Sequence, residues 1–316
     1  MHASPPVNPP MKTAERLDGR TLACIAIALL TWSSAYASIA YALASFTPGE
    51  VALARLAIAS LCFAVLLLAR RVPLPARRDW LQLALLGVIG LTVYHLCLNY
   101  AETRIASGTA SILLALIPAA TAAVSALWLR ERLAMRTLAG LGVALLGVIL
   151  VVLASGKRVR FEPMAALVLV SVLASAIYFV GQKSLFARNG MLAVTAFTFF
   201  AGTLGAVPFG WRLPQALVAA PWPHIAALVW LGIAPTFVGY LAWNAALRRT
   251  SASQVSSFIY CSPPIAVLIG WLWLAEMPAA LTLVGGVVII VGVAMANLRR
   301  RVVAVPATCV ATPCEP

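Results

Sequence analysis

The chain has 316 residues, of which 62% are apolar and 10% charged, with a formal net charge of +14. Soluble domains run at roughly 45–50% apolar and about 25% charged, so a soluble enzyme is excluded. An outer-membrane barrel is excluded too, because its strands alternate polar and apolar whereas this chain runs apolar for stretches the length of a membrane-spanning helix. Nucleic-acid binding fails on distribution, since the basic residues form short clusters between apolar runs and not one continuous face.

Residues 1–20 are Pro-rich with mixed charge and are predicted to be a disordered cytoplasmic N-terminal tail. Ten apolar spans follow, at 22–43, 50–69, 80–100, 105–129, 137–154, 165–182, 192–211, 225–246, 252–274 and 279–298, and residues 300–316 form a second cytoplasmic tail. The fold class expected is an all-α integral membrane protein. With the N-terminus inside, the segments on that side hold 17 Lys and Arg, against five outside. This positive-inside bias places both termini in the cytoplasm; the membrane expected is a bacterial inner membrane.

Groups that are costly in a bilayer are functional candidates. In the first span these are Trp32, Ser33 and Tyr36. Trp32 and Tyr36 are four apart and share a helix face, which suits either a cavity wall or helix packing. Arg55 lies inside the second span, placed to bind a substrate carboxylate or to snorkel to the surface. His95, Asn99 and Glu102 form one polar stripe on the third helix. His95 is a candidate proton carrier, with a buried, hydrogen-bonded histidine as the plainer alternative.

Pro118 interrupts the fourth span, and Glu131 follows that span at its end. The eighth span carries Tyr240, Asn244 and Arg248, a second stripe expected at the opposite end of the molecule, as two alternating gates would be. Gln254, Ser257 and Tyr260 lie on the ninth span as candidate cavity residues, before the break at Pro263 and Pro264, with Glu276 beyond. Carbonyls freed by such prolines are tolerated in a membrane only against protein or a water-filled cavity. Glu131 and Glu276 are read as structural ends. Small residues on the fifth and tenth spans support close packing, within the chain or between protomers, so monomer and homodimer both remain open.

No metal site or cofactor is expected. Cys24, Cys62, Cys97 and Cys261 lie in apolar runs, and Cys309 and Cys314 have no histidine nearby. The phosphate-cradling motif of nucleotide hydrolases is absent, as are the sequence signatures of zinc peptidases and serine hydrolases.

Shifting the sequence by 145 superimposes its halves: Asn99 falls on Asn244, Pro118 on Pro263, Leu129 on Leu274, Glu131 on Glu276, Gly140 on Gly285 and Gly147 on Gly292. Five spans per repeat is an odd number, so the second repeat inserts upside down, a construction common in secondary transporters. The halves are expected at 21–156 and 163–299, as two inverted five-helix repeats around a central cavity.

The stretch from Tyr100 to Val152 and its counterpart from Val229 to Val293 resemble the EamA repeat of the drug/metabolite transporter superfamily, as does the Trp32-Ser33-Ser34 start. The resemblance implies a ten-helix bundle that exports or exchanges small metabolites without ATP. The expected function is secondary transport of a small polar metabolite, amino-acid-like, by alternating access, with proton coupling as an option. A mostly uncharged Trp/Tyr cavity argues against polyanions. The partners expected are a small-molecule substrate and the lipid bilayer. The alternative is a passive small-solute channel or a non-transporting membrane scaffold.

Overall fold

A computed structural model of the chain describes residues 18–105, 107–128, 135–154, 164–250, 252–274 and 280–297. Most of both predicted tails, together with Glu131 and Glu276, lies outside the described residues. Every regular element among the described residues is helical: α1 (Gly19–Ala42), α2 (Pro48–Arg70), α3 (Arg77–Glu102), α4 (Ser107–Leu114), α5 (Ile117–Trp128), α6 (Met135–Ala154) and α7 (Met164–Gly181), then α8 (Lys183–Asn189), α9 (Met191–Ala206), α10 (Leu213–Ala219), α11 (Trp222–Arg249), α12 (Ala252–Ser256), α13 (Ser262–Leu274) and α14 (Ala280–Asn297). Seven helical stretches among these residues are long and apolar enough to cross a membrane, and three shorter apolar ones lie at Ile117–Trp128, Leu138–Gly147 and Leu283–Gly292.

Local chemistry sets the helix ends. Asp18 caps α1 by accepting from the Thr21 N–H at 2.9 Å, and this bonding, aided by Arg249, holds its carboxyl below the usual carboxylate range. Thr47 and Glu50 form a reciprocal capping box on α2, with Pro48 in the first turn, where no N–H is needed. α2 ends at Arg71 in the left-handed region, φ 48°.

The fourth predicted span is broken between Leu114 and Ile117, and Pro118 is the second residue of α5. The ninth is broken by a 3₁₀ turn over Ser257–Cys261, and Pro263 and Pro264 are the second and third residues of α13. Proline in a first turn forfeits no hydrogen bond, so these prolines start new helix segments. A feature the sequence reading did not foresee is a π-helical stretch in α3 over Val88–Val93 and another in α11 over Gly232–Gly239. Shifted by 145, the first falls on 233–238, inside the second.

Packing between the halves is reciprocal. α1 packs on α11 and α13, while α7 packs on α3 and α5. α2 packs against α9, and α6 against α14. A Cβ added at Gly147 would lie 2.7 Å from the Ile289 nitrogen and 2.8 Å from the Gly285 oxygen. One added at Gly292 would lie 2.4 Å from the Ala144 nitrogen and 2.7 Å from the Gly140 oxygen. Only glycine permits this approach, and the order of contacts makes α6 and α14 antiparallel. The small residues of these two helices are thus used within the chain.

Candidate functional site

α1, α2, α3, α5, α7, α11 and α13 enclose a cavity lined by Trp32, Tyr36, Arg55, Tyr94, His95, Ser175, Phe179, Tyr240 and Ser262, with Ala35, Leu98, Ile117 and Ile259 between them. Its free space is about 30 Å³. Such a space is roomy enough for ordered water.

Aromatic rings form much of the wall. Trp32 stacks on Phe179 with centroids 6.3 Å apart and planes 9° from parallel, and meets Tyr240 edge-on at 5.3 Å. Behind them Trp243 lies 4.8 Å from Trp32 and 5.3 Å from Phe179. Offset and edge-on pairs are the favoured geometries for such rings. Trp32 is further fixed by donating from Nε1 to the Pro235 carbonyl at 2.9 Å.

Two polar groups in this apolar frame are under-satisfied. Arg55 is 3% exposed; its Nε donates to Thr236 Oγ1 at 3.0 Å, and its Nη1 has no hydrogen-bond partner among the described residues. It therefore does not snorkel to the surface: a seven-residue advance into α2 has placed it against α11, beyond easy reach of solvent. His95 is 1% exposed, and neither ring nitrogen is hydrogen-bonded among the described residues. Burying such groups unpaired is expensive, so they mark where a polar solute would be worth most. Glu102 lies within electrostatic reach of Arg55, Tyr36 and Tyr94. Arg55 thus gives the cavity wall a charge that its Trp/Tyr pattern alone does not suggest.

Of the residues singled out in the sequence, Trp32, Tyr36, Arg55, His95 and Tyr240 meet here. The expectation that the two stripes sit at opposite ends needs correction. Their first members, His95 and Tyr240, have ring centroids 6.3 Å apart. These two are repeat mates from the C-terminal halves of α3 and α11, and their rings meet in the cavity.

The remaining candidates do not line the cavity. Ser33 bonds instead to Ser262. Asn99 Nδ2 donates to the Pro48 carbonyl at 3.0 Å, clamping α3 to the start of α2. Asn244 accepts from Gln182 Nε2 at 2.9 Å and donates to Thr195 Oγ1 at 3.0 Å. Thr195 in turn donates to the Met191 carbonyl, so α11 is tied to the start of α9 in the same manner. Gln254 accepts from Thr250 Oγ1 at 2.7 Å, and Ser257 donates to the Gln254 carbonyl at 2.7 Å. Tyr260 is 2% exposed and packs with Ala115, Ala144 and Ile289. Pro118, Pro263 and Pro264 sit in the first turns of α5 and α13, which contribute Ile117 and Ser262 to the cavity wall.

Sequence reasoning missed Tyr94, Ser175, Phe179, Ser262 and Thr236. Tyr94 adjoins His95, and Pro235 inside an apolar run was a visible marker for Thr236; Ser175 and Phe179 carry no local signal. Among the described residues no group of three or more His, Cys, Asp or Glu is placed to hold a metal ion.

A bundle of apolar helices closing on a buried, under-satisfied polar cavity has the build of a multi-pass membrane transport protein, in which solute sites lie at depth between packed halves. The EamA-like transporter family model matches residues 20–153 and 163–298, and the chain belongs to that family. Its members are transporters and not enzymes. The chain is 32% identical over 275 residues to a probable terminal-alkyne amino-acid exporter of Streptantibioticus cattleyicolor, covering 87% of this chain and 92% of that one. It is 28% identical over 270 residues to the pseudopaline exporter CntI of Pseudomonas aeruginosa, covering 84% and 91%. A protein of known crystal structure shares the fold with a TM-score of 0.68 at 21% identity, over 89% of this chain and 98% of that one.

Proposed function

We propose that this transporter exports or exchanges a small amino-acid-like metabolite by alternating access, through ten membrane helices arranged as two inverted repeats. Both termini face the cytoplasm of a bacterial inner membrane. The observation that carries the reading is Arg55, whose guanidinium is buried in an aromatic-walled cavity with Nη1 unpartnered among the described residues. A carboxylate offers the paired acceptor oxygens that a guanidinium fork takes up. The ring faces of Trp32, Tyr94 and Tyr240 suit an ammonium group or an apolar side chain. One guanidinium in the wall favours a monocarboxylate over a polyanion.

The antiparallel run of α6 against α14 and the crossed packing of α1 and α7 support the inverted repeat. Both relatives named above carry exporter names, one of them for an amino acid. Swapping the conformations of two equivalent halves would open the cavity first to one side and then to the other.

The experiment is counterflow in proteoliposomes. Vesicles loaded with unlabelled L-alanine, L-threonine or L-leucine should accumulate the labelled acid transiently and saturably. Uptake that rises linearly with concentration and shows no counterflow would identify a channel instead.

A further inference from the structure

The guanidinium of the cavity is held by an uncharged segment of another helix. Arg55 Nε donates to Thr236 Oγ1 at 3.0 Å, and Thr236 is fully buried in the π-helical stretch Gly232–Gly239 of α11. Pro235 has no N–H to give to the Leu231 carbonyl four residues upstream. The Thr236 hydroxyl donates to that carbonyl at 2.5 Å. A hydroxyl has one proton and two acceptor lone pairs, so with its proton committed to Leu231, Thr236 meets Arg55 as an acceptor.

The same turn holds a second cavity residue. Trp32 donates to the Pro235 carbonyl, and its indole fits because position 239 is glycine: a Cβ there would lie 2.7 Å from Trp32 Nε1. Side chains from α1 and α2 thus hang from two consecutive residues of α11. Under the 145 shift, Pro235 and Thr236 correspond to Gly90 and Leu91. The arrangement belongs to one half alone and is not scaffolding that the repeat dictates.

We propose that Thr236 is a positioning residue for solute recognition: by tying down Nε it presents the Nη edge of Arg55 to a carboxylate and so sets the preference for an acid over its amide. This rests on the reading of Arg55 given above. A guanidinium can grip a carboxylate through its Nη1/Nη2 edge or its Nε/Nη2 edge. Thr236 occupies Nε, and Nη1 has no hydrogen-bond partner among the described residues. Valine at 236 keeps the branched shape and loses the acceptor, whereas serine keeps the acceptor.

The test has two arms. In full-length protein labelled with ¹⁵N-arginine, the Arg55 Nε–H resonance is identified by its loss in Arg55→Lys. It should exchange slowly with water in the wild type and in Thr236→Ser, and about tenfold or more faster in Thr236→Val, the weight of one hydrogen bond to a charged group. In the transport arm, L-alanine, L-threonine and L-leucine are each compared with their carboxamides as competitors. Thr236→Val should lose about tenfold in preference for acid over amide, and Thr236→Ser should restore it. Unchanged exchange in Thr236→Val, or equal losses for acid and amide, overturns the proposal. A wild-type protein that moves none of the three acids refutes the amino-acid reading, while the exchange arm still decides whether Thr236 holds Arg55.

Discussion

The Ser33 hydroxyl lies 2.9 Å from the Ser262 hydroxyl, with the Ser262 carbonyl also within reach at 3.3 Å. This buried pair ties the middle of α1 to the first residue of α13, next to the cavity, and joins the two halves of the chain. If transport requires the halves to separate here, the pair lies on the moving seam.

Cysteines at both positions should therefore trap the protein. In a background lacking the native cysteines, Ser33→Cys/Ser262→Cys is expected to form a disulfide on oxidation, since side-chain atoms this close suit its geometry. Counterflow should stop on oxidation and return with a thiol reductant. Full transport by protein shown to be cross-linked would mean that α1 and α13 move as one body.

Inverted insertion places repeat mates on opposite sides of the membrane. Thr103 and Arg248 are such mates under the 145 shift, and both are exposed. Single cysteines at the two positions should react with a membrane-impermeant maleimide from opposite faces of oriented vesicles. Labelling of both from the same face would refute the inverted repeat.

Gly292→Ala places a Cβ 2.4 Å from a backbone nitrogen of α6, whereas Gly142→Ala meets nothing within 4 Å. Overpacking of this kind costs roughly 1–3 kcal/mol. Thermal unfolding in detergent should show a lower Tm for Gly292→Ala and no loss for Gly142→Ala. A Tm unchanged in both would show that the helices shift apart freely.

Asn244 bridges Gln182 and Thr195 in a fully buried chain of hydrogen bonds. Asn244→Leu leaves the Gln182 amide without its acceptor, at a cost of about 1–3 kcal/mol. Combined with Thr195→Val it should cost less than the sum of the single changes, a coupling of roughly 0.5–3 kcal/mol. Strict additivity in unfolding experiments would place the two residues in separate networks.

Arg55→Lys retains the charge and loses the planar fork, so it is not a conservative change at a carboxylate site. Counterflow of the acids should fall by about tenfold or more, with the loss appearing in apparent affinity, on the scale of a hydrogen bond to a charged group. Wild-type affinity in this variant would remove Arg55 from solute recognition.

Much of the fold was legible because the bilayer imposes a coarse rule. Backbone groups must be satisfied within each span, so apolar length alone marks the helices, and the described ends of α1, α2, α3 and α11 fall within a few residues of the predicted ones. Pro118 and Pro263 marked the two broken helices in the same way. The π-helical stretches were not legible, since one carries a proline and the other does not, and nothing in the hydropathy pattern changes where the register slips.

The site divides along the same line. Amino-acid sequence alone marked Trp32, Tyr36, Arg55, His95 and Tyr240 as candidates, because a polar group's desolvation depends on its own chemistry. Tertiary structure decided that these five share one cavity while Asn99, Asn244, Gln254, Ser257 and Tyr260 serve caps, clamps and packing elsewhere. It also supplied Thr236, Phe179 and Ser175 from helices far off in the chain. Which polar groups meet depends on how helices cross, and crossing is set by side-chain shape summed over whole interfaces, as at Gly147 and Gly292, and not by any local run of residues.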